Sequence, residues 1–315
     1  MSVWEEDIKE VQRALEKFRK VEKRKEELKK ALEYWIKVED LGHSDNCEVV
    51  GVDGSFLVRP LIFSTFYLAR AIAIAPSLGG FRVSRSDILK TTNDNYARQH
   101  AEAVMALLEV ETATRALLEL NKHGREATLL FDGSVSSLIL HRVVLHRSPI
   151  YPNIADSISR GLSFLVNERN VVFVAKRSSN SIYGEGRLPD MMLFSSMPKG
   201  YSVPKTVKIS ELYNIPETEL DDLPLSSKLK VLTLSYVKLS DDGPLLKIEI
   251  PGIVSEDEVR DVIAKLSDVS PSGYPVPLLV AHSSAKIRGI TLRKALSLVG
   301  IRLPTGREAL REAFA

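Results

Sequence analysis

Two short cassettes constrain this 315-residue chain more than any other feature: residues 47–55 read CEVVGVDGS and residues 128–134 read TLLFDGS. Each is an apolar, β-rich run ending in Asp-Gly-Ser, which predicts a strand that delivers a carboxylate, Asp53 or Asp132, at its end. Asp-Gly by itself is also a common hairpin turn. Its appearance twice, with the same serine following, favours two carboxylates carried by neighbouring strands. Hard divalent cations such as Mn²⁺ or Mg²⁺ take fixed oxygen ligands of this kind.

The rest of the composition narrows the class. A 44% hydrophobic and 27% charged chain of this length fits one large or two modest globular domains. The net charge of +2 gives no overall polycation, so any nucleic-acid surface must be a local basic groove. The single cysteine, Cys47, excludes an internal disulfide framework and argues against a cysteine-based zinc site. It is expected as a small apolar residue at the start of a buried strand. The chain is charged from Glu5 onward, without a secretory apolar segment. Its longest apolar stretch, around Phe66 to Pro76, is broken by Arg70 and too short to span a bilayer. The expectation is a cytoplasmic protein with no membrane partner.

Residues 4–40 read as one long helix. Val11, Leu15, Phe18, Val21, Leu28, Leu32 and Trp35 form an imperfect heptad seam suited to a partner helix or to the protein's own body. Downstream, strands are predicted at 48–53, 62–74 (as one strand or two), 81–85, 128–132, 171–175 and 276–281, and helices at 95–122, 152–168, 255–267 and 290–299. Residues 231–239 and 245–250 flank Ser-Asp-Asp-Gly, a hairpin signal. Residues 185–225 read as irregular connections. A meander followed by alternating strands and helices indicates an α/β fold, a mixed sheet with helices on its faces.

Within the helix at 95–122, a rotation of about 100° per residue places Glu111 and Arg115 on the polar face as an i,i+4 pair. Glu109 falls instead among Met105, Ala116 and Leu120, on the buried side, where an ionised carboxylate needs a cation or hydrogen bonds. Glu102, two turns earlier on that face, is the fallback. Residues 273–282 read GYPVPLLVAH and present His282 at the end of an apolar run, where an imidazole can ligate metal or carry a proton. Residues 171–178 read VVFVAKRS and bring Lys176 and Arg177 to a strand tip, as a phosphate-bearing substrate beside acidic groups requires.

Taken in order, GVDGS, a helical Glu, DGS, AKRS and GYPxPLxxAH resemble the NurA family, archaeal and bacterial nucleases that work with the HerA DNA-translocating ATPase. The resemblance spans residues 48–282. It implies an RNase H-like core and Mn²⁺-dependent cleavage of DNA, as a 5′-to-3′ exonuclease and single-strand endonuclease in break-end resection by homologous recombination. It also implies a homodimer docked on a HerA-type hexamer, with single-stranded DNA and double-stranded ends as substrates. The family's acidic residues would fall on Asp53, Glu109 and Asp132, and its C-terminal Tyr and His on Tyr274 and His282. In a two-metal displacement, Asp53 would bridge both ions, and Asp132 and Glu109 would each hold one. His282 would complete the second site or protonate the leaving oxygen. Lys176 would neutralise the non-bridging oxygens, and Tyr274 would stack on a base or orient a phosphate.

The domain plan that follows is an N-terminal helical arm at 1–40, a nuclease domain at 41–300 and a C-terminal tail at 301–315. Rival readings are another RNase H-like resolvase or ribonuclease, or a non-catalytic coiled-coil adaptor that loads a motor on DNA.

Overall fold

The structure is a computed structural model that describes residues 3–22, 25–43, 47–61, 63–136, 138, 152–168, 170–184 and 188–287. One end of its sheet is an antiparallel meander of three long strands, β2 (Glu48–Pro60), β3 (Thr65–Ala75) and β4 (Gly79–Leu89). β2 and β3 pair in the register that sets Asp53 opposite Ile72 and Pro60 opposite Thr65. After the meander comes helix α3 (Asp94–Lys122), whose cap Asn93 accepts the Tyr96 N–H. The chain then enters β5 (Ala127–Asp132) parallel to β2, helix α4 (Pro152–Glu168), and β6 (Asn170–Ala175) parallel to β5. The order β4-β3-β2-β5-β6, three antiparallel strands and then two parallel ones, is the RNase H-like arrangement.

The sheet does not stop at β6. The hairpin of β9 (Val231–Lys238) and β10 (Leu245–Pro251) adds to it through β10, antiparallel to β6. β7 (Gly200–Ser202), β8 (Lys205–Lys208) and β1 (Trp35–Lys37) complete ten strands. Three short helices, α5 (Asp190–Leu193), α6 (Ile209–Tyr213) and α7 (Glu217–Asp221), lie in the connections around them. Residues 185–225 thus supply two strands of the sheet, where the sequence predicts only irregular chain.

Two helical layers sandwich the sheet. On one face α3 and α4 bury Leu117, Val110 and Leu162 against Val50, Val52, Phe131 and Phe173. On the other, α8 (Glu256–Asp268), started by a Ser255–Glu258 capping box, and α9 (Val276–Ala285) pack on Val49, Leu130 and Val174. Side chains alternate along a strand. Asp53 therefore shares the α9 face with Val49, and Asp132 shares it with Leu130.

Four sequence expectations are corrected. The N-terminal segment is two helices, α1 (Val3–Glu22) and α2 (Lys25–Tyr34), and Trp35 belongs to a strand paired with β7. Its indole packs on Phe194, so the chain enters the sheet where the seam implied continued helix. The second strand begins at Thr65, after a tight turn closed by Leu61 N–H to Ser64 O. Asp53 sits inside a 13-residue strand, not at its end. Residues 276–285 form a helix, not a strand: Pro275 caps it and Pro277 lies in its first turn, where no amide hydrogen bond is lost. The helix expected at 290–299 and the tail at 301–315 lie outside the described residues. Among the described residues, no helix is long and apolar enough to cross a membrane.

Candidate metal centre

Asp53, Asp132 and His282 converge although they lie on three separate elements. A ligand atom from each falls within 4.8 Å of the others. His282 Nδ1 is 2.7 Å from Asp53 Oδ2 and 4.0 Å from Asp132 Oδ2. Two local features of the sequence produce this geometry. Gly51 has no side chain because the first turn of α9 lies directly on it; a Cβ there would overlap the backbone of Pro277 and Leu278. That close approach lowers α9 onto β2 and carries His282, a turn and a half further on, over Asp53. In the second cassette Gly133, at φ +129°, turns the chain after Asp132, and its N–H bonds to Val174 O at 2.9 Å.

Glu109 approaches from the opposite side of the sheet. It is buried on α3, and its carboxyl faces the backbone of Gly54, whose N–H also donates to Asp53 Oδ1 at 2.8 Å. Burial, with the charges of Asp53 and Asp132 added, raises its pKa well above the ordinary range. Asp53 is likewise pushed up to about 6, by burial first and Asp132 second, against the opposing hydrogen bonds from His282 and Gly54. Such a crowd of partly buried acids is short of positive charge, and a divalent ion supplies what is missing. The donor set of two carboxylates and an imidazole suits Mn²⁺.

Lys176 lies beside these groups. Its Nζ bonds Asp132 Oδ2 at 3.2 Å and stands 4.2 Å above the Tyr274 ring. The buried Tyr274 hydroxyl has no hydrogen bond of normal geometry. Burial and then the neighbouring Asp132 push the phenol far above its usual range, so it remains protonated. Arg177 is exposed at the same strand tip. Glu111 is half-buried and pairs with Arg85 on β4 at 3.3 Å, not with Arg115 as the helix spacing predicts. Glu102, near enough to Glu109 for its charge to be felt, lies outside the convergent group.

A family model of the NurA domain matches residues 47–287, most of the chain and all of the residues just described. The chain belongs to the NurA family. Among its relatives are the DNA double-strand break repair nucleases NurA of Saccharolobus solfataricus and Sulfurisphaera tokodaii. The first is 26% identical, with 87% of each chain covered. The second is 24% identical, with 81% of each covered. The crystal structure of the NurA nuclease from Sulfolobus solfataricus superposes with a TM-score of 0.71 at 21% identity, covering 95% of this chain and 96% of that one. A crystal structure of NurA bound to dAMP and manganese gives a TM-score of 0.62 at 14% identity, covering 98% and 100%. The NurA fold thus extends over both the RNase H-like core and the added strands.

The sequence reading missed a support behind this NurA site. Glu249 on β10, fully buried, pairs with buried Lys247 at 2.5 Å. It also accepts from Ser134 Oγ at 3.0 and 3.1 Å and from the Val135 N–H at 2.6 Å. Lys247 Nζ donates in turn to Asn180 Oδ1 at 2.7 Å. The serine of the second Asp-Gly-Ser is thus a strap that ties the segment after Asp132 to the neighbouring hairpin. An alternating Leu-Lys-Ile-Glu-Ile reads as a solvated strand face, so nothing local signals that these charges are internal.

Proposed function

We propose that this chain is a Mn²⁺-dependent deoxyribonuclease that hydrolyses phosphodiester bonds in DNA end resection at double-strand breaks. The observation that carries the reading is the convergence of Asp53, Asp132 and His282 ligand atoms within 4.8 Å, in a chain of the NurA family. Asp53, Asp132 and His282 would hold the ion, with Glu109 reaching them past Gly54. When bound, the ion supplies Lewis-acid polarisation of the phosphodiester and an activated water.

The protein's own groups do the rest. Lys176, poised on Asp132, turns to a non-bridging phosphoryl oxygen and offsets its charge, which carboxylates alone would repel. The Tyr274 hydroxyl, protonated and facing Asp132 without a well-formed hydrogen bond, donates to a phosphate oxygen, while its ring keeps Lys176 in place. Below about pH 6 Asp53 holds a proton that a cation must displace, as Glu109 does at its own raised pKa, which couples metal loading to pH. Arg177 faces solvent beside Lys176, where it can meet the phosphate backbone.

In the same reading the enzyme is a homodimer that serves a HerA-type hexameric ATPase and takes single strands and duplex ends, 5′ to 3′. The dimer is supported by Trp4, Ile8, Val11 and Leu15, which form an exposed apolar stripe along α1. Because Ala31 and Trp35 are buried in the body, the dimer test leaves α2 intact: Val11→Asp with Leu15→Asp in the full chain should yield monomers on sedimentation.

The activity test uses end-labelled DNA and RNA oligonucleotides with Mn²⁺ or chelator. Cleavage of DNA, Mn²⁺-dependent and lost in Asp53→Ala and Asp132→Ala, is expected. Cleavage by either variant within about tenfold of the parent, a barrier change near 1.4 kcal/mol, overturns the metal-site reading. Preference for RNA would favour a ribonuclease, and inactivity of the parent an adaptor.

A further inference from the structure

The row of side chains that contains Asp53 continues across the sheet to its open edge. Ser55 lies opposite Arg70 on β3, and Arg70 lies opposite Ser84 on β4; Asp53 lies opposite Ile72, and Ile72 opposite Arg82. Residues directly opposite in an antiparallel pair share a face. Asp53, Ser55, Arg70, Arg82 and Ser84 therefore all project from the α9 face. Ala281 and Ala285 of α9 cover Ile72 and Ile74. Beyond that cover Arg82 and Ser84 are exposed, and Arg70 is half-buried. On the far side of the carboxylates, Lys176 follows the end of β6, two residues beyond Val174, the residue opposite Asp132. Read from β6 to β4, this band of two adjacent rows carries a cation, two carboxylates and two cations.

Neither arginine has a structural duty that accounts for it. Arg70 Nε donates to Ser84 Oγ at 3.3 Å, and among the described residues neither Arg70 nor Arg82 forms an ion pair. Arg85, one residue on from Ser84 and on the opposite face, does pair, with Glu111. Charge on an edge strand guards against unwanted pairing, which explains a cation on β4. It does not explain Arg70, because β3 is hydrogen-bonded on both sides. Partial burial, and then the neighbouring Arg82, lower the Arg70 pKa, so the two guanidiniums repel each other in the absence of an anion.

We propose that Arg70 and Arg82 form a phosphate-binding track that holds the DNA backbone next to the bond being cut, on the side of the carboxylates away from Lys176. This rests on the nuclease reading above. From strand spacing and rise, Arg70 starts about 8 Å and Arg82 about 10 Å from Asp53 along the sheet, about one to two nucleotides of an extended strand. Guanidinium groups grip phosphate through paired N–H donors, and Ser84 already orients one of them. The contact reads backbone, not sequence.

The test measures metal-free binding of a fluorescent 20-nucleotide single strand against salt, together with Mn²⁺-dependent cleavage of the same strand. For single strands, removing one phosphate-binding cation lowers the slope of log K on log salt by about 0.7. Arg82→Ala, at an exposed position, should lower it by about 0.7, and R70A/R82A by about 1.4. In cleavage, KM should rise at least tenfold with kcat within about twofold, and R70K/R82K should recover most of the slope. Arg160→Ala, an exposed cation on α4, should leave the slope unchanged. An unchanged slope in both Arg82→Ala and R70A/R82A overturns the track, as does an equal change in Arg160→Ala. Failure of the nuclease reading shows differently, as an Asp53→Ala protein that still cleaves or a parent that never does; the salt slopes are read without cleavage.

Discussion

Glu109 fills the space behind Gly54: a methyl group on Gly54 would lie 2.5 Å from Glu109 Oε1 and 2.6 Å from Met105 Cγ. The missing side chain is what lets a carboxylate on α3 reach a site built on the other face of the sheet. Glu109 Oε1 ends a flexible side chain and Met105 Cγ belongs to one that can change rotamer, so Gly54→Ala should fold and swing Glu109 aside. We expect Mn²⁺-dependent cleavage to fall at least tenfold with little change in Tm. Gly51→Ala meets immovable backbone instead and should lose stability first, by about 1–3 kcal/mol. Melting curves and initial rates on both variants check the ranking, and the reverse order would contradict it.

Asp53 makes the metal-free protein sensitive to acid in an unusual direction. Its pKa of about 6 is raised above its value in the unfolded chain, about 3.9. Below about pH 4 both states are protonated; between pH 4 and 6 the native state alone keeps the proton. Stability in chelator should therefore fall as pH rises from about 4 to about 6, by roughly 3 kcal/mol. The raised Glu109 extends the fall to higher pH. Asp53→Asn removes the Asp53 share and should melt above the parent at pH 7 but level with it at pH 4. Mn²⁺ should reverse the trend in the parent. Thermal melts across this range, with chelator and with Mn²⁺, measure it.

The Glu249 strap should matter to folding more than its distance from the carboxylates implies. Glu249→Ala leaves Lys247 charged and unpaired in the interior, a loss of about 3–5 kcal/mol. Ser134→Ala removes one hydrogen-bonding group and should cost about 1 kcal/mol. Urea denaturation of both variants gives the comparison. A Glu249→Ala loss below 1 kcal/mol would mean the pair is not internal.

Tyr274→Phe separates structure from chemistry. The buried hydroxyl has only a poorly formed contact with Asp132 to lose, so stability should change by less than about 1 kcal/mol. The ring stays to support Lys176. A cleavage rate at least tenfold below the parent, with an unchanged melting curve, assigns the hydroxyl to the substrate. An unchanged rate assigns the ring alone.

How much was legible follows from what each residue depends on. The strands carrying Asp53 and Asp132 were readable because an apolar, β-rich run ending in Asp-Gly-Ser is a local signal, and the burial of Glu109 was readable from helix phase alone. The helix bearing His282 was misread because Val-Pro-Leu-Leu-Val-Ala is apolar all round and has no period. Only the two prolines marked a helical first turn. Gly51 and Gly54 looked like strand and turn glycines, since what occupies their missing side chains comes from 226 residues and 55 residues downstream, at Pro277 and Glu109. The N-terminal seam ran on past Tyr34 because heptad spacing cannot report that Trp35 finds a strand partner at Ser202. Arg70 appeared only as an interruption of an apolar stretch; its face is set by pairing.

The bond between His282 and Asp53 joins residues 229 positions apart. During synthesis the emerging chain acquires Asp53, Glu109 and Asp132 early, then waits for the whole added hairpin and α8 before α9 can settle on Gly51. Contacts of such long separation form late and slowly. A partly made chain thus carries the acids without the imidazole, the phenol or the helix that covers them, and gains a complete centre only once the domain has closed.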